Sequence, residues 1–410
     1  MRRVDPVAEV SKARETSEAV GAIEAARVRD EGYAPLSGDM ISALEARGNA
    51  CADWSRVKVA RGFDPRAVEG SSFAGDCRLG VFGGPVSLGQ GVRLPSGVFG
   101  STLVDATVAD GALVKDVRLL ARAHVGEGAV VFDVGELAGR TGTSFACGRA
   151  VPLGNEAGGR EVALYPEITA SVAARVALDR SDTGLQSAYR EAVEHYVEAL
   201  SSDHSVVGPG ARILHAGALR GVILGPGAVV DGALMIEDTC ILSAADDPTE
   251  VSSGAVVIHS ILQWGARATT GAVIDSSAIL EHASAIRSAK LTDCLLGPCS
   301  LVEKGEAVSA LLGPLVMQRH QSLLIATAWP EGRGSVAAGA LVGANHTGRA
   351  GDQEMRAGEG LFFGLGCRVK LPSDLSRAPY TIVTGDGPLP PQRMDFPFSL
   401  VRGASAALVE

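Results

Sequence analysis

The sequence is short of aromatic residues, which fill 4% of its positions. That excludes a core built on large rings and leaves small aliphatic side chains to do the packing. It has no Cys-x-x-Cys pair. Its seven cysteines, at 51, 77, 147, 240, 294, 299 and 367, are odd in number and irregular in spacing. Buried thiols in a reducing cytosol are therefore expected. Cys294 and Cys299 fall inside the repeat described below, at positions that suit a small apolar residue. Positive charge is also in deficit: 37 Lys and Arg face 47 Asp and Glu, for a net charge of −10. Nucleic acid as the main partner is excluded by the missing basic footprint, although a local patch for a small phosphate ligand is not. No run approaches the ~18 apolar residues of a membrane span, and Met1-Arg-Arg-Val-Asp5 begins no apolar leader segment. No membrane role is expected, and the expectation is a soluble, cytoplasmic protein. No His-x-His or His-x4-His cluster is present. No metal ligands are assigned, since a catalytic zinc takes three protein ligands.

What the chain does have is glycine, 51 residues, and a repeat. Ile223-Leu-Gly-Pro-Gly-Ala, Ile241-Leu-Ser-Ala-Ala-Asp, Ile261-Leu-Gln-Trp-Gly-Ala, Ile279-Leu-Glu-His-Ala-Ser, Leu295-Leu-Gly-Pro-Cys-Ser and Leu311-Leu-Gly-Pro-Leu-Val are versions of one another. Their first residues step by 18, 20, 18, 16 and 16 positions. A step near 18 is three hexads, or one turn of a triangular parallel β-helix in which each hexad gives one side and one corner. Small residues suit its narrow interior and tight corners.

This pattern divides the chain. Residues 1–72 are read as an α-helical N-terminal arm, with helical spacing over 7–29 and a second helix capped by Ser37 and closed by Gly48. Trp54 is expected to anchor the arm on the solenoid end. First coils are expected over 73–137, including consecutive hexads at Val86 and Val92. Residues 138–204 are read as a polar loop and an inserted helical hairpin, with Pro166 at a first helical position and an apolar stripe from Leu185 through Tyr189, Val193 and Tyr196 to Leu200. The main coils follow at 205–316. Residues 317–410 are expected to finish the solenoid, cap it and pack back along it.

The hexads resemble those of the left-handed β-helix, or hexapeptide-repeat, superfamily. Four further stretches resemble a little-characterised bacterial branch of it: Gly48-Asn-Ala-Cys-Ala-Asp-Trp54, Gly154-Asn-Glu-Ala-Gly-Gly-Arg160, His320-Gln-Ser-Leu-Leu-Ile325 and Gly343-Ala-Asn-His-Thr-Gly-Arg349. The left-handed sense is implied by the resemblance alone, because parallel crossovers generally take the other hand. The superfamily consists mostly of acyltransferases using acyl-CoA or acyl carrier protein, commonly homotrimers with sites between subunits. It also holds γ-class carbonic anhydrases and the C-terminal halves of sugar-1-phosphate nucleotidyltransferases. The glycine-rich nucleotide loop of the last group is missing here.

A coil requires aliphatic and small residues, so polar clusters between glycines mark candidate sites. Asn155, Glu156 and Arg160 form the first, with Glu156 as a base or as the partner of Arg160, and Arg160 as a fork for an anion. His320, Gln321 and Ser322, after Arg319, form the second, with His320 as the first choice for a general base. Asn345, His346 and Arg349 form the third, with His346 the alternative base and Asn345 an oxyanion donor. Glu354 or Glu359 is available to orient a histidine, as is Glu156, and Arg349 is the alternative to Arg160 as the anion clamp. Each cluster also has a structural reading, as a polar turn or cap. The resemblance implies transfer of an acyl group from a thioester to a hydroxyl or amine of a small acceptor, of which a sugar derivative is one class. It implies acyl-CoA as co-substrate and no tightly bound cofactor. The alternatives are a metal-dependent, carbonic-anhydrase-like enzyme and a non-catalytic scaffold or sugar-nucleotide sensor.

Overall fold

A computed structural model describes residues 4–29, 32–89, 91–347, 353–385 and 387–403. The chain separates into two compact units. One comprises Met1–Arg14, Ala146–Val197 and His259–Glu410, and the other Glu15–Phe145 and Glu198–Ile258. Both are parallel β-solenoid built from short strands, three to a turn.

In the unit containing His259–Glu410 the three sides are plain. On the first side Leu262 lies beside Ile279, Ile279 beside Leu296, Leu296 beside Leu312 and Leu312 beside Trp329, all parallel. All five are fully buried, so the inward position of each strand supplies the core. The Ile-Leu and Leu-Leu pairs of the sequence repeat are the strands of this side. Trp329 is the large exception in an aliphatic column. Its indole N–H donates to the Gly358 carbonyl at 2.8 Å, and its ring meets Phe363 edge-on at 5.7 Å. The second side carries Ala268, Ala285, Val302 and Gln318 in register, and the third Ile274, Leu291, Ala307 and Leu324. The same ladders continue to Leu400–Arg402. The C-terminal residues therefore extend the stack, and no strand among the described residues packs back along it.

The other unit repeats the plan. Leu103, Leu120, Leu137, Leu219, Ile236 and Val257 line one inward column, and Val98, Val114, Val131, Ile213, Val230 and Val251 another. Between Leu137 and Leu219 the chain leaves the stack for the inserted segment and returns at Ser205 to pair with Ala123.

Several local expectations are corrected. Coils begin not at Phe73 but at Ala50–Cys51, which pairs in parallel with Ser72–Ala74, and Val57–Ala60 pairs with Cys77–Leu79. The hexad period is hidden there because a short 3-10 turn, Trp54–Arg56, interrupts the first coil. The segment at Val86 and Val92 is not two hexads. Pro85–Gly89 and Val92–Pro95 form an antiparallel hairpin with a bulge between Ser87 and Gly89. A valine every six residues with nearby glycines fits a hairpin as well as a coil. The helical run at 7–29 is two helices, α1 (Pro6–Lys12) and α2 (Glu15–Arg29). The next, α3 (Gly38–Ala46), is capped as expected by Ser37, whose hydroxyl accepts from the Met40 N–H at 3.3 Å. Trp54 packs 6.0 Å from Phe73 and donates to Glu45 of α3 at 2.9 Å, so it joins that helix to the first coils. In the insert, α4 (Ala170–Leu178) starts at the cap residue Thr169 rather than at Pro166. It is followed by α5 (Thr183–Leu200), in which Tyr189, Val193, Tyr196 and Leu200 are the buried stripe. All seven cysteines are free thiols. Cys299 is exposed at a corner and Cys51 is half-buried, whereas the other five are buried.

Candidate functional site

The corners explain where polar residues gather. Each turn needs a residue with left-handed backbone, which side-chain sterics disfavour except over short polar turns. In the His259–Glu410 unit one corner row runs His259, Ser276, Asp293, Ser309 and Ala326, all at φ near +50°. Stacking is direct: the Asp293 N–H donates to Asp275, Ser309 to Thr292 and Ala326 to Val308. The next turn of this row is not a single residue. After Leu341–Val342 the chain makes a loop before resuming at Met355, whose N–H donates to Ala326. That loop holds Asn345, His346 and Glu354.

The inserted segment lies over the same row. Ala150–Pro152 pairs antiparallel with Glu161–Ala163, and residues between them form the tip. Arg149 donates to the Ser276 hydroxyl at 2.9 Å and the Gly154 N–H to the Ser309 carbonyl at 2.7 Å. Gly154 has φ +87°, and a Cβ there would stand 3.1 Å from the Ala328 Cβ, so both conformation and clearance require glycine. Gln263 secures the segment further along, donating to the Pro166 and Ile168 carbonyls at 2.8 Å each.

Two contacts follow from this docking. His346 Nε2 meets the Glu156 carboxylate in a short hydrogen bond, across 190 residues of sequence. The imidazole is nearly buried, and its Nδ1 has no hydrogen-bond partner. Arg160 meets Glu354 through Nε at 2.7 Å and through a second guanidinium nitrogen, and donates to the Ala177 carbonyl at 2.9 Å. The Arg160 side chain is 1% exposed, so its charge is spent inside the protein. Burial pulls its pKa below the usual value, against the opposing effect of Glu354. Glu354 also takes Arg356, at 3.1 Å, and Arg356 is partly open. A cleft of about 500 Å³ beside this pair is lined by Glu354, Arg356, Ser373, Asp374, Gln392 and Arg393, with prolines 372 and 391. Asp293, on the corner row, has its pKa raised by burial first, then by the charges of Asp275 and Glu156, with Arg149 opposing.

The remaining sequence candidates fall as follows. Asn155 is buried and accepts from the Ala157 N–H at 2.8 Å, shaping the tip. Asn345 clamps the backbone of Leu371, donating to its carbonyl at 2.8 Å and accepting from its N–H at 2.6 Å. His320 and Gln321 are exposed on another corner row, with Thr270, Ser288 and Lys304, and no hydrogen bond or ion pair reaches the His320 ring among the described residues. Ser322 is buried with an unpartnered hydroxyl. Glu359 pairs with Arg333 at 2.9 Å and accepts from the Tyr380 hydroxyl at 2.9 Å, far along the chain from any histidine contact. Arg349 lies outside the described residues. Sequence reasoning did not single out Arg149, Asp293 or Arg356. The signal for Asp293 was its place on the 16- or 17-residue step that joins Ser276 to Ser309.

A family model described as a domain of unknown function (DUF4954) matches residues 33–345. The chain belongs to this family. The matched stretch includes Asn155, Glu156 and Arg160 and ends at Asn345, just before His346. An uncharacterized protein of Treponema pallidum (strain Nichols) is 26% identical over 381 residues, 90% of this chain and 52% of that protein. The chain thus spans about half the length of the curated relative it matches. No helix among the described residues is long and apolar enough to cross a membrane.

Proposed function

We propose that this protein transfers an acyl group from a thioester to a hydroxyl or amine of a small acceptor, with His346 as general base. The observation that carries the reading is the contact between His346 Nε2 and Glu156, together with the buried, unpartnered Nδ1. With Nε2–H donated to the carboxylate, Nδ1 holds the lone pair. A buried polar atom without a partner costs about 1–3 kcal/mol, and an acceptor's O–H or N–H supplies that partner. As the acceptor oxygen bonds to the thioester carbon, its proton passes to Nδ1 and Glu156 balances the imidazolium. When the C–S bond breaks, the thiolate takes that proton back. Arg356 and Arg393, in the cleft beside Glu354, are the groups for an anionic donor such as acyl-CoA. Arg160 positions Glu354 rather than meeting the donor. The resemblance to left-handed hexapeptide-repeat acyltransferases supports the same chemistry, and with it a homotrimer. Among the described residues no three His, Cys, Asp or Glu side chains are gathered to hold a metal ion.

The test uses acetyl-CoA and acetyl-pantetheine, the arm that CoA and carrier-protein donors share. We expect calorimetric binding and consumption of at least one, with Glu156→Gln keeping affinity and losing about 100-fold in turnover. Neither binding nor consumption at millimolar concentration would contradict the proposal.

A scaffold role has one observation of its own. Of the twelve large hydrophobic side chains exposed among the described residues, seven lie between Phe362 and Leu400. Phe362, Ile382 and Leu400 stand in register on neighbouring strands. Such a patch marks a protein contact, either with a partner or between subunits. Sedimentation of wild type against Ile382→Asp distinguishes the two: a fall in subunit number assigns the patch to self-assembly.

A further inference from the structure

The unit comprising Glu15–Phe145 and Glu198–Ile258 has an unusual outer face. Outward positions of a solenoid side are normally polar, because they meet water. On one side of this unit Leu113, Val130, Arg212 and Val229 form one outward row, and Lys115, Phe132, Leu214 and Asp231 the next. Five of these eight are apolar. The hairpin of Pro85–Gly89 and Val92–Pro95 stands over them, with Val86, Leu88 and Leu94 packed on Leu113, Val130 and Leu214. It covers the island only in part. A groove of about 770 Å³ stays open between hairpin and coils, lined by Leu88, Val92, Leu94, Phe132, Leu214 and Val229. That is the size of a small-molecule site.

The charged groups at the groove are unequal. Lys115 is paired with Asp116 at 3.1 Å and His215 with Asp133 at 2.8 Å. Asp231 is exposed to water. Arg212 is half-buried and its side chain sits against Gly89 of the hairpin; its guanidinium makes no hydrogen bond or ion pair among the described residues. A guanidinium at the edge of an apolar groove, with no protein anion on it, can take a carboxylate through two parallel hydrogen bonds.

We propose that this groove binds a linear fatty-acid anion, with the alkyl chain along Phe132, Leu214 and Val229 under the hairpin and the carboxylate on Arg212. The inference stands independently of the acyl-transfer reading.

The experiment is calorimetry of the full chain with hexanoate, octanoate and decanoate below their micelle-forming concentrations, and with decanol at its solubility limit. We expect affinity to rise about fourfold per added methylene. Arg212→Ala should cost decanoate about tenfold or more and leave decanol unchanged. Val92→Asp, at a hairpin position 52% exposed, should weaken every ligand while the melting temperature stays put. Affinity independent of chain length, or equal losses of decanoate and decanol in Arg212→Ala, would overturn the proposal. So would groove variants that change the sedimentation coefficient and not the binding, since the occupant would then be a second copy of the chain.

Discussion

Two corner rows of the same coils behave differently. One, with Thr270, Ser288, Lys304, His320 and Gln321, meets solvent, and its turn residues do little beyond turning the chain. The other, with Ser276, Asp293, Ser309 and Ala326, is covered by the inserted segment and enlarged by the loop that holds His346 and Glu354. Both rows carry a histidine between polar neighbours. The covered row holds two histidines: His259, at its start, meets Asp275 but stays partly open, whereas His346 is held against a carboxylate and largely out of water. Among the described residues, His320 on the open row has neither. Residue type alone therefore does not make a site on a solenoid. A second layer that closes over a corner does, because it lowers the local dielectric and fixes side chains that would otherwise be free.

The comparison breaks most severely if the second layer loses its tie. Arg160→Ala leaves Glu354 without its main partner in a largely buried place, and should cost about 3–5 kcal/mol in denaturant unfolding. A loss under 1 kcal/mol would mean that the covered row is no more tightly built than the open one. Next comes the chemistry. His346→Ala and Glu156→Gln should each lower thioester turnover about 100-fold with little change in stability. A smaller effect concerns the electrostatics of the covered row. The Asp293 pKa is raised by burial and by its acidic neighbours, so folding binds its proton more tightly. The stability it supplies is full below the unfolded carboxylate pKa and is lost as pH rises through the folded value. Asp293→Asn should accordingly stabilise the protein at pH 7, and the gain should vanish in unfolding curves taken below about pH 3.8. Added Glu156→Gln should reduce the gain. The smallest effect belongs to the open row: His320→Ala should alter stability by no more than about 0.5 kcal/mol and turnover by less than twofold.

How much of this was legible in the sequence follows from the same contrast. The Ile-Leu pairs at 261 and 279 and the Leu-Leu pairs at 295 and 311 name one side of the solenoid, because each must fill the same inward slot. The hairpin at Val86 was not legible as such, because a period of six with glycines satisfies two architectures. The residue types of the candidate site were visible as the two clusters at 154–160 and 343–349. Their meeting was not, since it depends on a helical insert folding back to one corner and not to another. Glu359 looked as good an orienting carboxylate as Glu156, yet it belongs to Arg333 and Tyr380 on a different part of the coil. Asp293 was hidden by its ordinary surroundings, although counting along the corner step would have placed it.

The central claim is that His346 and Glu156 act as one unit at the covered corner. A double-mutant cycle on acetyl-thioester consumption, using wild type, His346→Ala, Glu156→Gln and the double variant, tests it most directly. The account predicts that the double variant is no slower than His346→Ala alone, because the carboxylate works only through the imidazole. Losses that multiply, each about as large in the presence of the other as alone, would contradict it.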